Sequence, residues 1–194
     1  MTRSFDILIV GIGGQGTILA SNILGEACLT ESRHVKGAET HGMAQRGGSV
    51  ESHIRIDGQY GPLIPPGQAD LLISFDLLEA LRYSHYLKAG GRMVVNRHLV
   101  LPTSVYTQKL AAPSEVEIAT ALKKYDLCLL DADKMAIDAG SPLSQNVVML
   151  GAAARSIPLK PESLLAAVQK LVPKKTIEIN TKAFEMGREF GRTC

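Results

Sequence analysis

The sequence predicts an α/β protein built on a doubly wound, mostly parallel sheet with one antiparallel or edge strand. Three observations carry that prediction. A short run rich in β-branched and aromatic residues, Phe5-Asp6-Ile7-Leu8-Ile9-Val10, stops at Gly11-Ile12-Gly13-Gly14-Gln15-Gly16 and gives way to a helical pattern. From there, candidate strands alternate with candidate helices to the end of the chain, as a wound sheet requires. Only Ser49 to Ile56 alternates cleanly between apolar and polar residues, marking one strand with a solvated face.

The first strand is apolar on both faces, the pattern of an internal parallel strand. The helix that follows spans Gln15 to Leu29, with Ile18, Leu19, Ile23, Leu24 and Ala27 at helical spacings on one face. Arg33 to Lys36 reads as a short strand. Gly37 to Gly48 is rich in glycine and polar residues, has neither period, and reads as a loop. In the strand Ser49–Ile56, residues Val50, Ser52, Ile54 and Ile56 share one face, and Glu51, His53 and Arg55 the other. Asp57-Gly58 turns the chain.

Pro62, Pro65, Pro66 and Gly67 make the next stretch a loop. Ala69 to Phe75 is a strand. Asp76 is placed to cap a helix running to Leu87, with Gly90-Gly91 as its stop. Arg92 to Asn96 is a strand, Glu115 to Lys124 a helix and Asp126 to Leu130 a strand. A short helix from Asp131 to Asp138 ends near Gly140. The last helices are Val147 to Ser156, Glu162 to Leu171 and Thr181 to Phe190, punctuated by Pro158, Pro161 and Pro173. Ala183, Met186, Gly187 and Phe190 share one face of the final helix, which reads as core packing. No linker or repeat breaks the pattern, so residues 1–194 are read as one domain.

Composition narrows the function. The 194 residues carry 21 Lys+Arg and 19 Asp+Glu, a formal charge of +2, with 45% hydrophobic residues. Such a chain can bury roughly 70% of its unfolded surface. The longest nearly pure apolar run, Val147 to Ala154, is far short of a membrane span of about 20 residues. An acid at position 6 is unlike a signal peptide. The expectation is a soluble, cytoplasmic protein that binds neither membrane nor nucleic acid. With nine aromatics, no Trp and dispersed basic residues, stacking platforms and phosphate-tracking patches are lacking.

The three cysteines, Cys28, Cys128 and Cys194, are widely spaced. No CxxC is present, so zinc and iron–sulfur sites are not expected from this chain alone. Cys28 and Cys128 fall in apolar patterns and read as buried small hydrophobes. Cys194 is terminal and reads as uninvolved, and a reducing compartment fits all three.

Glycine is unevenly placed. Residues 11–16 and 37–48 hold eight of the 18 glycines. Gly11, Gly13, Gly14, Gln15, Gly16 and Thr17 form a GxGxxG turn between a strand and a helix, where free backbone N–H groups suit a phosphate. A dinucleotide further requires an acid at the end of the second strand, about 20 residues on. Glu31 precedes that strand and Glu39 lies beyond it. Three readings stay open: a dinucleotide in an autonomous NAD(P)-dependent oxidoreductase, a phosphate of another ligand, or glycines that serve strand–helix packing alone.

Taken together with the next loop, the glycine turn resembles a known family. Gly13-Gly14-Gln15-Gly16 followed by Lys36-Gly37-Ala38-Glu39-Thr40-His41-Gly42-Met43-Ala44-Gln45-Arg46-Gly47-Gly48-Ser49-Val50 looks like the gamma-type domain of 2-oxoacid:ferredoxin oxidoreductases, and within it the small subunits of the indolepyruvate type. The similarity continues through Arg55-Ile56, Asn146 to Ala152 and Asn180 to Gly187. The resemblance implies a subunit of an enzyme that decarboxylates a 2-oxoacid oxidatively, forms an acyl-coenzyme A and passes two electrons to ferredoxin. It places thiamine diphosphate, magnesium and [4Fe-4S] clusters on a large alpha partner, leaving this chain without a metal and with coenzyme A as a candidate ligand. A non-catalytic scaffold subunit is the remaining alternative.

Residue roles follow. Arg46 is the first candidate, because guanidinium suits carboxylate and phosphate; pairing with Glu39 or Glu51 is its structural alternative. Glu39, His41 and Gln45 are polar candidates in the same loop. Gln15 can reach a ligand or cap its own helix, and Thr17 is equally open. Asn146 reads first as an N-cap. Asp131 and Asp133 have magnesium-like spacing, with helix capping the stronger reading.

Overall fold

The computed structural model describes residues 4–42 and 47–194. Six strands, β1 (Phe5–Ile12), β2 (Val35–His41), β3 (Ser49–Ile56), β4 (Ala69–Ser74), β5 (Leu87–Asn96) and β6 (Asp126–Leu130), form a sheet in the order β2-β3-β1-β4-β5-β6. β1, β4, β5 and β6 run parallel, and β3 is antiparallel to both of its neighbours. One antiparallel strand is what the sequence predicts, but it is internal. The outer strand beside it is β2.

Around the sheet lie α1 (Thr17–Thr30), α2 (Leu77–Tyr83), α3 (Thr103–Thr107), α4 (Glu115–Leu122), α5 (Ala132–Ala139), α6 (Gln145–Ala153), α7 (Pro161–Leu171) and α8 (Ile177–Thr193). Alternate residues of β1 feed opposite faces, as a doubly apolar strand demands. Ile7 and Ile9 join the larger core under α1 and α5–α8, and Leu8 and Val10 the smaller one under α2 and α4.

Five expectations are corrected. β2 does not end at Lys36: Gly37 to His41 continue it as a ladder on β3. The pattern is hidden because an outer strand exposed on most positions needs no apolar face. β3 is not half-exposed. Ser52, His53 and Arg55 are buried because the latter two have partners. Arg55 forks onto Asp6 (Nε–Oδ1 3.0 Å, Nη2–Oδ2 2.9 Å), and His53 Nδ1 accepts the Ile64 N–H at 3.1 Å.

Gly90-Gly91 does not stop a helix. α2 ends at Tyr83, and both glycines lie inside β5, where its register against β4 shifts. A Cβ on Gly91 would sit 3.0 Å from the Ala69 carbonyl oxygen, so the irregularity requires glycine there. Asn146 is not an N-cap: α6 begins at Gln145, after Ser144. The short helix α3 was not anticipated.

The last correction concerns cysteine. Cys194 is bonded to Cys128, closing a 66-residue loop and pinning the end of α8 to β6. Cys128 and Cys194 lie too far apart in sequence for spacing to reveal the pairing. Cys28 is buried as expected, and burial pushes its thiol up to about 11. α8 also meets α6 backbone to backbone: Cβ atoms on Gly151 and Gly187 would fall 2.2 Å from Phe184 O and 2.1 Å from Val148 O. No helix among the described residues is long and apolar enough to cross a membrane.

Candidate functional site

The site forms where β1 ends, at the carboxyl edge of the parallel strands, where wound sheets open a crevice. Gln15 shapes the turn. Its Oε1 accepts the Ile12 N–H at 2.7 Å and its Nε2 donates to the Phe75 carbonyl oxygen at 3.3 Å. The side chain therefore braces the end of β1 against the residue that follows β4. Gly16 follows with φ +81°, a left-handed conformation that lets the chain enter α1.

The turn is then joined to the segment after position 46. The Gly13 N–H donates to Gly48 O at 2.8 Å, and the Gly47 N–H reaches Gly13 O at 3.5 Å. The two glycine-rich segments, 35 residues apart in the chain, thus share one hydrogen-bonded junction. A cavity of about 450 Å³ opens beside it, lined by Gly13, Gly14, Gly16, Thr17, Ile18, His41 and Val50.

Of the residues singled out in the sequence, Gly13, Gly14, Gly16, Thr17 and His41 meet in this cavity. Gly11 lies behind it, where a Cβ would press on Gln15 Oε1 at 2.8 Å. Asn146 also stands behind, donating Nδ2–H to Gly16 O at 3.3 Å. Glu39 points into a neighbouring trough, where Ser21 donates to its Oε1 at 3.0 Å. Gln45 and Arg46 lie outside the described residues. Sequence reasoning missed Ile18 and Val50. Helical spacing puts Ile18 on the buried face of α1, but it is 52% exposed. Val50 was placed by its alternation in β3, but what that face would meet was not visible.

Because side chains alternate along β3, the neighbours of Val50 face the other side. Ser49 and Glu51 join Thr40, His41, Gly42 and Tyr83 around a second cavity of about 320 Å³. His41 borders both. Ser49 donates to the buried Glu79 carboxylate, which also takes Arg82 Nη1 at 2.8 Å. Thr40 donates to Glu51 Oε1. Glu51 Oε2 lies 3.8 Å from His53 Nε2. Burial lowers the His53 pKa, and the Glu51 charge opposes that shift only in part.

The first cavity is suited to an anion. α1 starts there with no side-chain cap and no acid in its first turn, so the positive end of its dipole is unopposed. It is poorly suited to a dinucleotide. β3 separates β2 from β1, which sets the end of β2 about 10 Å from β1 at roughly 4.8 Å per strand. The ribose-binding acid of a dinucleotide site would have to stand on the adjacent strand, where Glu51, opposite Val10, faces the second cavity instead.

The aspartate pair does not converge. Asp131 caps α5 through the Lys134 N–H at 2.9 Å. Asp133 turns to Asn96 Nδ2 at 3.3 Å and His98 Nδ1 at 2.8 Å. Among the described residues, no group of three or more His, Cys, Asp or Glu could hold a metal ion.

Comparison with known proteins adds independent findings. A family model described as pyruvate ferredoxin/flavodoxin oxidoreductase matches residues 6–190. The indolepyruvate oxidoreductase subunit IorB of Pyrococcus horikoshii is 38% identical over 191 residues, covering 95% of each chain. The 2-oxoglutarate synthase subunit KorC of Archaeoglobus fulgidus is 29% identical, over 99% of this chain and 90% of that one. Among solved structures, the gamma subunit of a keto/oxoacid ferredoxin oxidoreductase from Geobacter sulfurreducens superposes with a TM-score of 0.73 at 28% identity, covering 98% of this chain and 99% of that one. In a 2-oxoglutarate:ferredoxin oxidoreductase from Magnetococcus marinus the same fold recurs, with a TM-score of 0.76 at 18% identity, over all of this chain and 32% of that longer one.

Proposed function

Because the chain belongs to the pyruvate ferredoxin/flavodoxin oxidoreductase family, we propose that it is the small subunit of a 2-oxoacid:ferredoxin oxidoreductase of the indolepyruvate type. The observation that carries this reading is the Gly13–Gly48 hydrogen bond. It closes the glycine turn on the very loop that makes the sequence specific and leaves a cavity between them. The indolepyruvate assignment draws on the 38% identity to a subunit of that name, against 29% to the 2-oxoglutarate type.

In this reading a large alpha subunit carries thiamine diphosphate, magnesium and [4Fe-4S] clusters, which supply the decarboxylation and the two-electron transfer to ferredoxin. This chain completes the site from outside. Gly13, Gly14, Gly16 and Thr17 receive a phosphate or pyrophosphate group, and coenzyme A is the substrate that brings one. The polar part of the lining fits: the glycine turn, the Thr17 hydroxyl and the His41 imidazole stand beside the apolar Ile18 and Val50, with no carboxylate among them. His41 sits between the two cavities at the junction with the partner. Gln45 and Arg46 follow His41 closely in the sequence, and Arg46 is assigned to a carboxylate or phosphate. Glu39 contributes to the subunit surface rather than to the cavity.

The test is reconstitution. Arylpyruvate- and coenzyme A-dependent ferredoxin reduction is measured for the large subunit alone, with this chain, and with its Arg46→Ala variant. Turnover should require this chain and fall with the variant. A large subunit that turns over equally well by itself overturns the reading.

A further inference from the structure

The geometry points to Ile18 and Val50 as the residues that select coenzyme A at the glycine turn, by packing on the dimethyl-bearing carbon beside its pyrophosphate. The inference rests on the reading that the turn receives that pyrophosphate.

One half of the cavity is polar. α1 opens with no side-chain cap, and its first intrahelical bond runs from the Ala20 N–H to Gly16 O at 3.1 Å. The amides before Ala20 therefore have no intrahelical partner. A Cβ on Gly14 would meet nothing within 4 Å, so the turn presents bare backbone to the cavity it lines. Thr17 is buried, and its methyl lies 3.1 Å from where a Cβ on Gly11 would stand. That contact leaves the hydroxyl branch for the cavity, which Thr17 also lines.

The other half is aliphatic. Ile18 follows Thr17 directly on α1 and is left in water. Val50 comes from β3, where its strand neighbours are Gly11 on one side and His41 on the other. Both side chains branch at Cβ and hold few rotamers. An anion on the first amides of α1 thus has rigid, branched aliphatic carbon immediately beside it.

That pairing discriminates among phosphate ligands. In a dinucleotide the pyrophosphate has a hydroxylated ribose on each side. In coenzyme A one side is instead a methylene joined to a quaternary carbon with two methyl groups, the start of the thiol-bearing arm. A purine is read at its edge by amides or carboxylates, and the described lining has no Asn, Gln, Asp or Glu. The thiol-bearing arm therefore leaves the turn between Ile18 and Val50, and the adenosine half leaves from the other side of the pyrophosphate.

Fragments of coenzyme A separate the two halves. In the reconstituted enzyme, inhibition against coenzyme A is measured for 4′-phosphopantetheine, adenosine 3′,5′-bisphosphate, pyrophosphate and indole-3-acetate. The proteins compared are the wild type, Ile18→Asn, Val50→Thr and Thr17→Val, with Leu29→Asn, at the exposed far end of α1, as control. Ile18 is half-exposed, so its variant keeps the fold even where Val50→Thr does not, and melting temperatures check both. Ile18→Asn should weaken phosphopantetheine and raise the KM for coenzyme A about tenfold at unchanged kcat. Val50→Thr should act in the same direction, while pyrophosphate and the bisphosphate inhibit as before and the control behaves as wild type. Thr17→Val should weaken every phosphate-bearing probe. Phosphopantetheine unaffected by Ile18→Asn, or pyrophosphate weakened equally, overturns the assignment. Indole-3-acetate as the probe that Ile18→Asn weakens gives the aliphatic wall to the ring of the 2-oxoacid and also overturns it. If Thr17→Val changes no probe, the phosphate reading of the turn fails instead.

Discussion

Asn146 Nδ2 donates to the carbonyl oxygen of Gly16 at 3.3 Å, tying the first turn of α6 to the glycine turn across 130 residues of sequence. The contact is tight: a Cβ on Gly16 would lie 2.6 Å from that same Nδ2. The glycine is therefore held by its left-handed φ and by its neighbour at once.

Gly16→Ala should destabilise the protein by about 2–3 kcal/mol, from left-handed strain of roughly 1–2 kcal/mol and the displaced hydrogen bond. In an Asn146→Ala background the clash disappears, and the same change should cost about 1–2 kcal/mol. Urea melts of the four proteins of this cycle measure the coupling. Strict additivity would show that Asn146 does not constrain the turn.

Gln15 should matter for its hydrogen bonds, not its bulk. Gln15→Met keeps the volume but orphans the Ile12 N–H, at a cost of about 1–3 kcal/mol. In the assembled enzyme it should raise the KM for coenzyme A, since the turn that forms the cavity loosens. A Met variant that melts like the wild type would place the bracing elsewhere.

His53 makes stability pH-dependent. Its folded pKa lies below the ordinary 6.5 because of burial, so the unfolded chain binds the extra proton first. The stabilisation is complete above pH 6.5 and is lost as the pH falls through the folded value. Protonation also removes the Nδ1 acceptor that holds the Ile64 N–H. His53→Asn, which keeps an acceptor but does not titrate, should flatten the melting-temperature profile between pH 7.5 and pH 5.5, relative to wild type. Parallel profiles would count against the assignment.

The Cys128–Cys194 link should be visible without a structure. Under non-reducing conditions, Cys194→Ser should lower stability by about 2–4 kcal/mol, the usual range for closing a long loop. Added dithiothreitol should bring the wild type down to the variant. Mass spectrometry finding two free thiols in the non-reduced protein would remove the link altogether.

The strand and helix order was readable because local signals agree with the fold. β1 is apolar on both faces and is buried on both; Asp76 stands before α2 and caps it through Leu78 and Glu79. Val147 to Ser156 reads as helix and is one, though α6 starts two residues earlier. Where local pattern and structure part, a distant partner intervenes. Arg55 looks like solvated surface until Asp6 is opposite it. Gly37 to His41 look like a loop until β3 supplies their ladder.

The sequence by itself determined the alternation of elements, the glycine turn at the end of β1, and the family, because these rest on residue types at short spacings. Only the tertiary structure decided how the pieces meet. It turned Gln15 inward, set Asn146 behind Gly16, pulled Glu39 out of the cavity, and brought Gly13 onto Gly48. It also inserted β3 between β1 and β2, and the acid that β3 brings beside β1, Glu51 opposite Val10, faces the second cavity and not the glycine turn. Backbone hydrogen bonds and close packing between residues far apart in the chain fix each of these, and one-dimensional spacing carries no record of them.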